Sequence, residues 1–223
     1  MYRSSGTRPL GAQDRGSALQ KANAAKRLDG APGYMFSCSM IGEVRVVLGV
    51  TGSIAVYKAA ELVRLMKART WDVWVVMTRS ATEFVTELTF RTLSQHPVGI
   101  GMFEKRETWR PEHISLAERA DVFVIAPCTA NVLAKLAYGL ADDLLTCTAL
   151  SCVAPVIVAP AMNERMWDHP ATKDNLRILK SRGVEIVDVD RGDLACGTQG
   201  RGRLAALTDI LTAVERKIEE KKL

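Results

Sequence analysis

Val44–Ala68 reads VRVVLGVTGSIAVYKAAELVRLMKA and changes its period once, at Thr51-Gly52-Ser53. Before that point, Val44–Val50 is almost wholly apolar and β-branched, as expected of a strand covered on both faces. After it, Ala59, Leu62, Val63 and Met66 recur at i, i+3, i+4 and i+7, which predicts a helix over Ile54–Ala68. A strand, a tight turn and an amphipathic helix open a βα unit. The alternation continues outward. Asp72–Met77, Val122–Ala126, Val156–Ala159 and Val184–Val189 read as further strands. His113–Ala120, Asn131–Leu150, Ala171–Ser181 and the closing basic-acidic segment read as helices, with a helical region broken near Pro97. Continuously apolar strands alternating with helices imply an α/β fold, a single doubly wound (Rossmann-like) domain over 41–223 with a parallel sheet and helices on both faces. Ligands of such folds bind outside the carboxyl ends of the strands.

Composition narrows the function classes. No apolar run approaches the roughly 18 residues that span a bilayer. The formal net charge is +5, but residues 1–33 carry Arg3, Arg8, Arg15, Lys21, Lys26 and Arg27 against only Asp14 and Asp29. The remainder is therefore close to neutral and offers no basic footprint for nucleic acid. Residues 1–40 are rich in Gly, Ser, Ala and Arg without apolar periodicity, which predicts a disordered or non-native extension. Cys38, Cys128, Cys147, Cys152 and Cys196 form no CxxC pair and follow no signal sequence. A disulfide framework and a metal site are not expected, and the cytoplasm is the expected compartment.

The strand ends carry the chemistry. Gly52 lets a ligand approach the backbone closely. Ser53 is a candidate N-cap, and a helix start with open amides suits a phosphate; a plain tight turn is the alternative reading. The absence of GxGxxG disfavours a dinucleotide. Thr78, Ser80 and Thr82 after the second strand would bring hydroxyls to the same phosphate, as for a mononucleotide. The third strand ends Ala126-Pro127-Cys128-Thr129-Ala130-Asn131. Pro127 stops the strand, and Thr129 and Ala130 are small enough to admit a flat ring. Asn131 either meets the edge of that ring or caps the next helix.

The fourth strand ends Pro160-Ala161-Met162-Asn163-Glu164-Arg165-Met166-Trp167. Pro160, Met162, Asn163, Met166 and Trp167 together resemble the signature of the homo-oligomeric flavin-containing cysteine decarboxylases. The resemblance runs from about Val46 to Leu211. Within it, Glu112–Ala117 (EHISLA) and Ala195–Arg203 (ACGTQGRGR) are similar to the branch that acts on a phosphorylated cysteine conjugate in coenzyme A synthesis. The resemblance implies FMN, a doubly wound fold, and a trimer or dodecamer with the flavin between subunits. Bacterial members often continue into a phosphopantothenate–cysteine ligase domain, so a separate ligase is an implied partner. Val132 stands where many members have Thr. Two related readings stay open: a peptidyl-cysteine decarboxylase, which lacks the Cys-bearing segment, and a non-catalytic FMN-binding regulatory subunit, which needs no base.

A cysteine carboxylate loses CO2 only when the electrons left behind have a sink. Oxidising S–CH2 to a thioaldehyde provides one, and a flavin is a suitable acceptor. His113, at an expected helix start that favours the neutral imidazole, is the candidate base, with a helix cap as the alternative. Asn163 can donate to the substrate carboxylate without adding charge. Met162, Met166 and Trp167 either surround that amide or are core. Cys196 sits among Gly192, Gly197, Gly200 and Gly202, a segment able to move over substrate. The resemblance implies that its thiol protonates the enethiol. Arg201 and Arg203 are candidates for the substrate phosphate, or solvated arginines.

Overall fold

β1 (Arg45–Val50) lies between β2 (Asp72–Met77) and β3 (Val122–Cys128), and β4 (Val156–Pro160) and β5 (Glu185–Ile186) extend the sheet beyond β3. The order is β2-β1-β3-β4-β5, with every pairing parallel. The computed structural model describes residues 44–103, 110–193, 195, 197 and 199–222. The extension expected over 1–40 and the Cys196 side chain lie outside the described residues.

Both sheet faces are buried, for the reason the strand sequences suggest. Side chains alternate along β1, so Val46, Leu48 and Val50 face one core and Val47 the other. The first core is closed by α1 (Val56–Lys67), α3 (Glu87–Ser94) and α9 (Leu207–Lys222), which contribute Leu62, Phe90 and Ile210. The second is closed by α4 (Glu112–Arg119), α5 (Ala130–Tyr138), α6 (Leu144–Ser151) and α8 (Pro170–Ser181), through Leu116, Leu133, Leu145 and Leu179. Each fully buried Val, Leu or Ile side chain contributes about 1.5–3 kcal/mol. Two short helices, α2 (Arg79–Thr82) and α7 (Glu164–Asp168), follow β2 and β4.

Three expectations are corrected. Asn131–Leu150 is two helices, not one. Gly139 ends α5 at φ 69°, and Asp143 opens α6 with a capping box shared with Thr146. Val184–Val189 pairs with the sheet only at Glu185–Ile186. Val187 N–H still donates to Val158 O, but Val189 N–H turns back to Asp188 Oδ1, and the chain leaves the sheet. The glycine-rich segment read as a loop is largely an antiparallel hairpin, β6 (Asp190–Asp193) with β7 (Gln199–Arg203).

The strand order reverses between β1 and β3. Beyond their carboxyl ends, the two connections diverge to opposite sides and leave a crevice.

Candidate active site

Thr51 ties the two sides of that crevice together. Its side chain is fully buried; Oγ1 donates to Pro127 O at 2.7 Å and accepts from Thr129 N–H at 3.0 Å. The turn after β1 is thereby held against the loop after β3, which includes the cis peptide Ala126–Pro127. Thr129 Oγ1 then accepts from Val132 N–H at the start of α5. Thr51 was read only as part of a turn; a hydroxyl directly after a buried strand was its one sequence signal.

Gly52 has no room for a side chain. A Cβ there would lie 2.5 Å from Ser80 Cβ and 2.8 Å from the Ser80 carbonyl carbon. The turn after β1 and the short helix α2 after β2 therefore touch at Gly52 and Ser80. Ser53 is not the N-cap: α1 starts at Val56, Ala55 takes the cap position, and Ser53 Oγ accepts from Ala55 N–H at 3.3 Å. Thr78 Oγ1 is buried and has no hydrogen-bond partner among the described residues. Thr82 turns away, donating to Arg79 O at 2.7 Å.

Two cavities meet over these loops. The first, about 560 Å³, is lined by Gly52, Ser53, Lys58, Met162, Asn163 and Arg203, among others. The second, about 830 Å³, is lined by Gly52, Thr78, Ser80, Asn131, Lys135 and Asp143, among others. Gly52, Thr129, Ala130 and Met166 line both. Asn131 does not cap α5, since Thr129 does. Pro127 is buried behind the site and lines neither cavity; Thr82 lines neither. At Lys135, partial burial works against the charge, but hydrogen bonds to Asp142 (2.7 Å) and Asp143 (2.9 Å) prevail and raise its pKa. Complete burial pushes the Cys128 thiol far up, so it stays protonated.

The Pro160–Trp167 stretch contributes differently residue by residue. Asn163 caps α7, its Oδ1 accepting from Arg165 N–H at 2.9 Å. Met162 and Met166 line the cavities, but Trp167 is core at 4% exposure. The hairpin return strand is pinned to this stretch. Met162 N–H donates to Gly202 O at 2.9 Å, and Glu164 Oε1 accepts from Arg201 N–H at 3.0 Å. Gly202 has φ 123° and no space for a Cβ, which would run into Met162 O.

The remaining candidates are dispersed. Arg203 reaches the first cavity, whereas Arg201 pairs with Asp188 at 3.4 Å and lines a separate groove. Ala195, next to Cys196 in sequence, lines the first cavity. His113 is the second residue of α4, half-buried, and lines neither cavity. Lys58, not singled out from the sequence, lines the first.

The chain is similar to several known proteins. Residues 37–219 match the family model described as Flavoprotein. The chain is 44% identical over 181 residues to the coenzyme A biosynthesis bifunctional protein CoaBC of Bacillus subtilis, covering 81% of this chain and 45% of that one. It thus spans less than half the length of that relative. It is 39% identical over 176 residues to a probable phosphopantothenoylcysteine decarboxylase of Streptococcus mutans, covering 78% and 98%. A solved PPC decarboxylase, a cysteine-to-serine mutant complexed with pantothenoylaminoethenethiol, superposes with TM-score 0.70 at 33% identity, covering 79% and 99%. The FMN-binding protein AtHal3 superposes with TM-score 0.68 at 34% identity, covering 80% and 98%.

Proposed function

Because this chain belongs to the flavoprotein family, we propose that it is an FMN-dependent carboxy-lyase converting 4′-phosphopantothenoylcysteine to 4′-phosphopantetheine in coenzyme A synthesis. The observation that carries the reading is the pair of joined cavities at the strand-order reversal, one holding Asn163 and the other a partnerless Thr78 hydroxyl. The residues fit FMN. A phosphate oxygen would give Thr78 Oγ1 the bond it lacks, beside Ser80 and the bare backbone of Gly52. Thr129, Ala130 and Asn131 form the wall left for the ring. FMN, when bound, supplies a reversible two-electron acceptor.

The chain's own residues divide the remaining work. His113 takes the thiol proton as the substrate S–CH2 group rises to the thioaldehyde level. Asn163 holds the carboxylate through its NH2 group until CO2 leaves, without adding a repelling charge. The apolar walls of Ile54, Met162 and Leu204 keep water from the developing enethiolate. Cys196 then delivers a proton to the enethiol carbon, since a free thiol is mostly protonated at neutral pH.

His113 lies outside both cavities of its own chain, which supports a site completed by a neighbouring copy in a trimer or dodecamer. The exposed Ile54 and Tyr57 at the cavity rim support the same reading. The bifunctional relatives are more than twice as long as the matched segment, which supports a phosphopantothenate–cysteine ligase as the partner activity. No described helix is long and apolar enough to cross a membrane.

Cys196→Ser tests the assignment. The variant should bind FMN, release CO2 and accumulate a product two hydrogens lighter than 4′-phosphopantetheine, because a hydroxyl is a far weaker acid than a thiol. Saturated product at the normal rate would remove Cys196 from the mechanism. That a cysteine-to-serine mutant of the solved PPC decarboxylase is complexed with an ethenethiol agrees with this expectation.

A further inference from the structure

Lys58 and Arg203 stand out among the cations of this protein because each lines the first cavity and neither forms an ion pair among the described residues. Other cations of the fold do: Arg201 pairs with Asp188, Lys135 with Asp142 and Asp143, and Arg216 with Glu185. Lys58 projects from the first turn of α1, half-buried, and Arg203 from the end of β7, its guanidinium lying over Gly192. The two belong to elements far apart in sequence, yet the fold turns both toward the cavity that contains Asn163.

Two like charges facing one half-enclosed space destabilise each other unless an anion joins them. Burial first, and then the positive charge of Arg203, lower the pKa of Lys58; Asp190 and Glu61 oppose this only in part. Asp193, the acidic residue lining the cavity, is itself engaged by the Gln199 amide at 2.9 Å.

We infer that Lys58 and Arg203 are the receptor for the terminal phosphate of the substrate, and that they set the preference for the phosphorylated conjugate. The inference rests on the decarboxylase reading above. It places the two anionic ends of one substrate at the two polar regions of one cavity, the carboxylate at Asn163 and the phosphate at Lys58 and Arg203. The phosphate of FMN is the other source of the same chemistry. Lys58 does not line the cavity of Thr78 and Ser80, which favours the substrate.

The test compares kcat/KM for 4′-phosphopantothenoylcysteine and for pantothenoylcysteine in the flavin-loaded wild type, Lys58→Met, Arg203→Met and Lys58→Arg. The ratio of the two values cancels any difference in the amount of folded enzyme. The wild type should prefer the phosphorylated compound, and each Met variant should lose about 10- to 100-fold of that preference, the worth of one charge-assisted hydrogen bond. Lys58→Arg should keep most of it. An unchanged ratio in the Met variants would overturn the assignment, and so would FMN loss from Lys58→Met, which would give the site to the cofactor. A wild type that turns over both compounds equally well would overturn only this assignment. A wild type that turns over neither would overturn the decarboxylase reading and this one with it.

Discussion

Thr78→Val separates cofactor binding from folding. The buried hydroxyl has no partner among the described residues, and a group in that state costs about 1–3 kcal/mol. Valine has nearly the same shape without the hydroxyl. The flavin-free variant should therefore unfold at the same or a higher urea concentration than wild type. Its FMN affinity should fall about tenfold, the worth of one hydrogen bond to a charged group. Unchanged FMN affinity, measured by flavin fluorescence, would move the phosphate elsewhere. Residues of this kind were legible as types but not as partners. The sequence shows that Thr78, Ser80 and Thr82 bear hydroxyls; only the geometry shows that Thr82 spends its own on Arg79 O and that Thr78 keeps its proton unshared. Thr51 was missed for the converse reason. Its two bonds go to backbone groups 76 and 78 positions away, which no local pattern announces.

The edge strand β2 carries a polar clamp whose pH response has a definite sign. Asp72 accepts from Trp74 Nε1 at 2.8 Å and meets His96 Nε2 at 2.5 Å, while the Trp74 and His96 rings stack at 3.9 Å. Partial burial acts to raise the Asp72 pKa, but the hydrogen bonds from His96 and Trp74 outweigh it and hold the carboxyl below its ordinary value. A group lowered on folding stabilises the protein above its unfolded pKa, about 3.9 for Asp, and that contribution disappears as pH falls through the folded value. Asp72→Asn should therefore lower the urea midpoint at pH 6, with the gap from wild type narrowing as pH falls toward 3. A gap of equal size at both values would mean that the charge is irrelevant. At this scale the strongly periodic elements were legible and the interruptions were not. The apolar content of 131–150 masks the break at Gly139, because a residue at φ 69° and a cap at Asp143 interrupt the backbone without changing the mean polarity. The β6–β7 hairpin was illegible because β7, QGRGR, has glycine where alternating apolar side chains would signal a strand. Its inward positions are filled by backbone packed against Glu164 and Met162.

A site shared between copies makes a prediction that no single-chain site makes. His113→Asn and Asn163→Asp should each abolish turnover while keeping FMN. Co-expressed, the two variants should regain activity, because some interfaces then pair an intact His113 with an intact Asn163. Two dead variants that stay dead together would place both residues in one chain's site. The fold was legible in the strand–turn–helix alternation that begins at Val44, and part of the first cavity's wall in Met162, Asn163 and Met166. The distance of His113 from both cavities was not, because sequence spacing fixes the start of α4 but not what lies across from it. The most direct measurement is the mass of the product that the flavin-loaded wild type makes from 4′-phosphopantothenoylcysteine without added reductant. The expected product is 4′-phosphopantetheine, with one CO2 per turnover. Unchanged substrate would contradict it, and so would a wild-type product two hydrogens lighter, which is the outcome expected of a peptidyl-cysteine type of enzyme that stops at the enethiol.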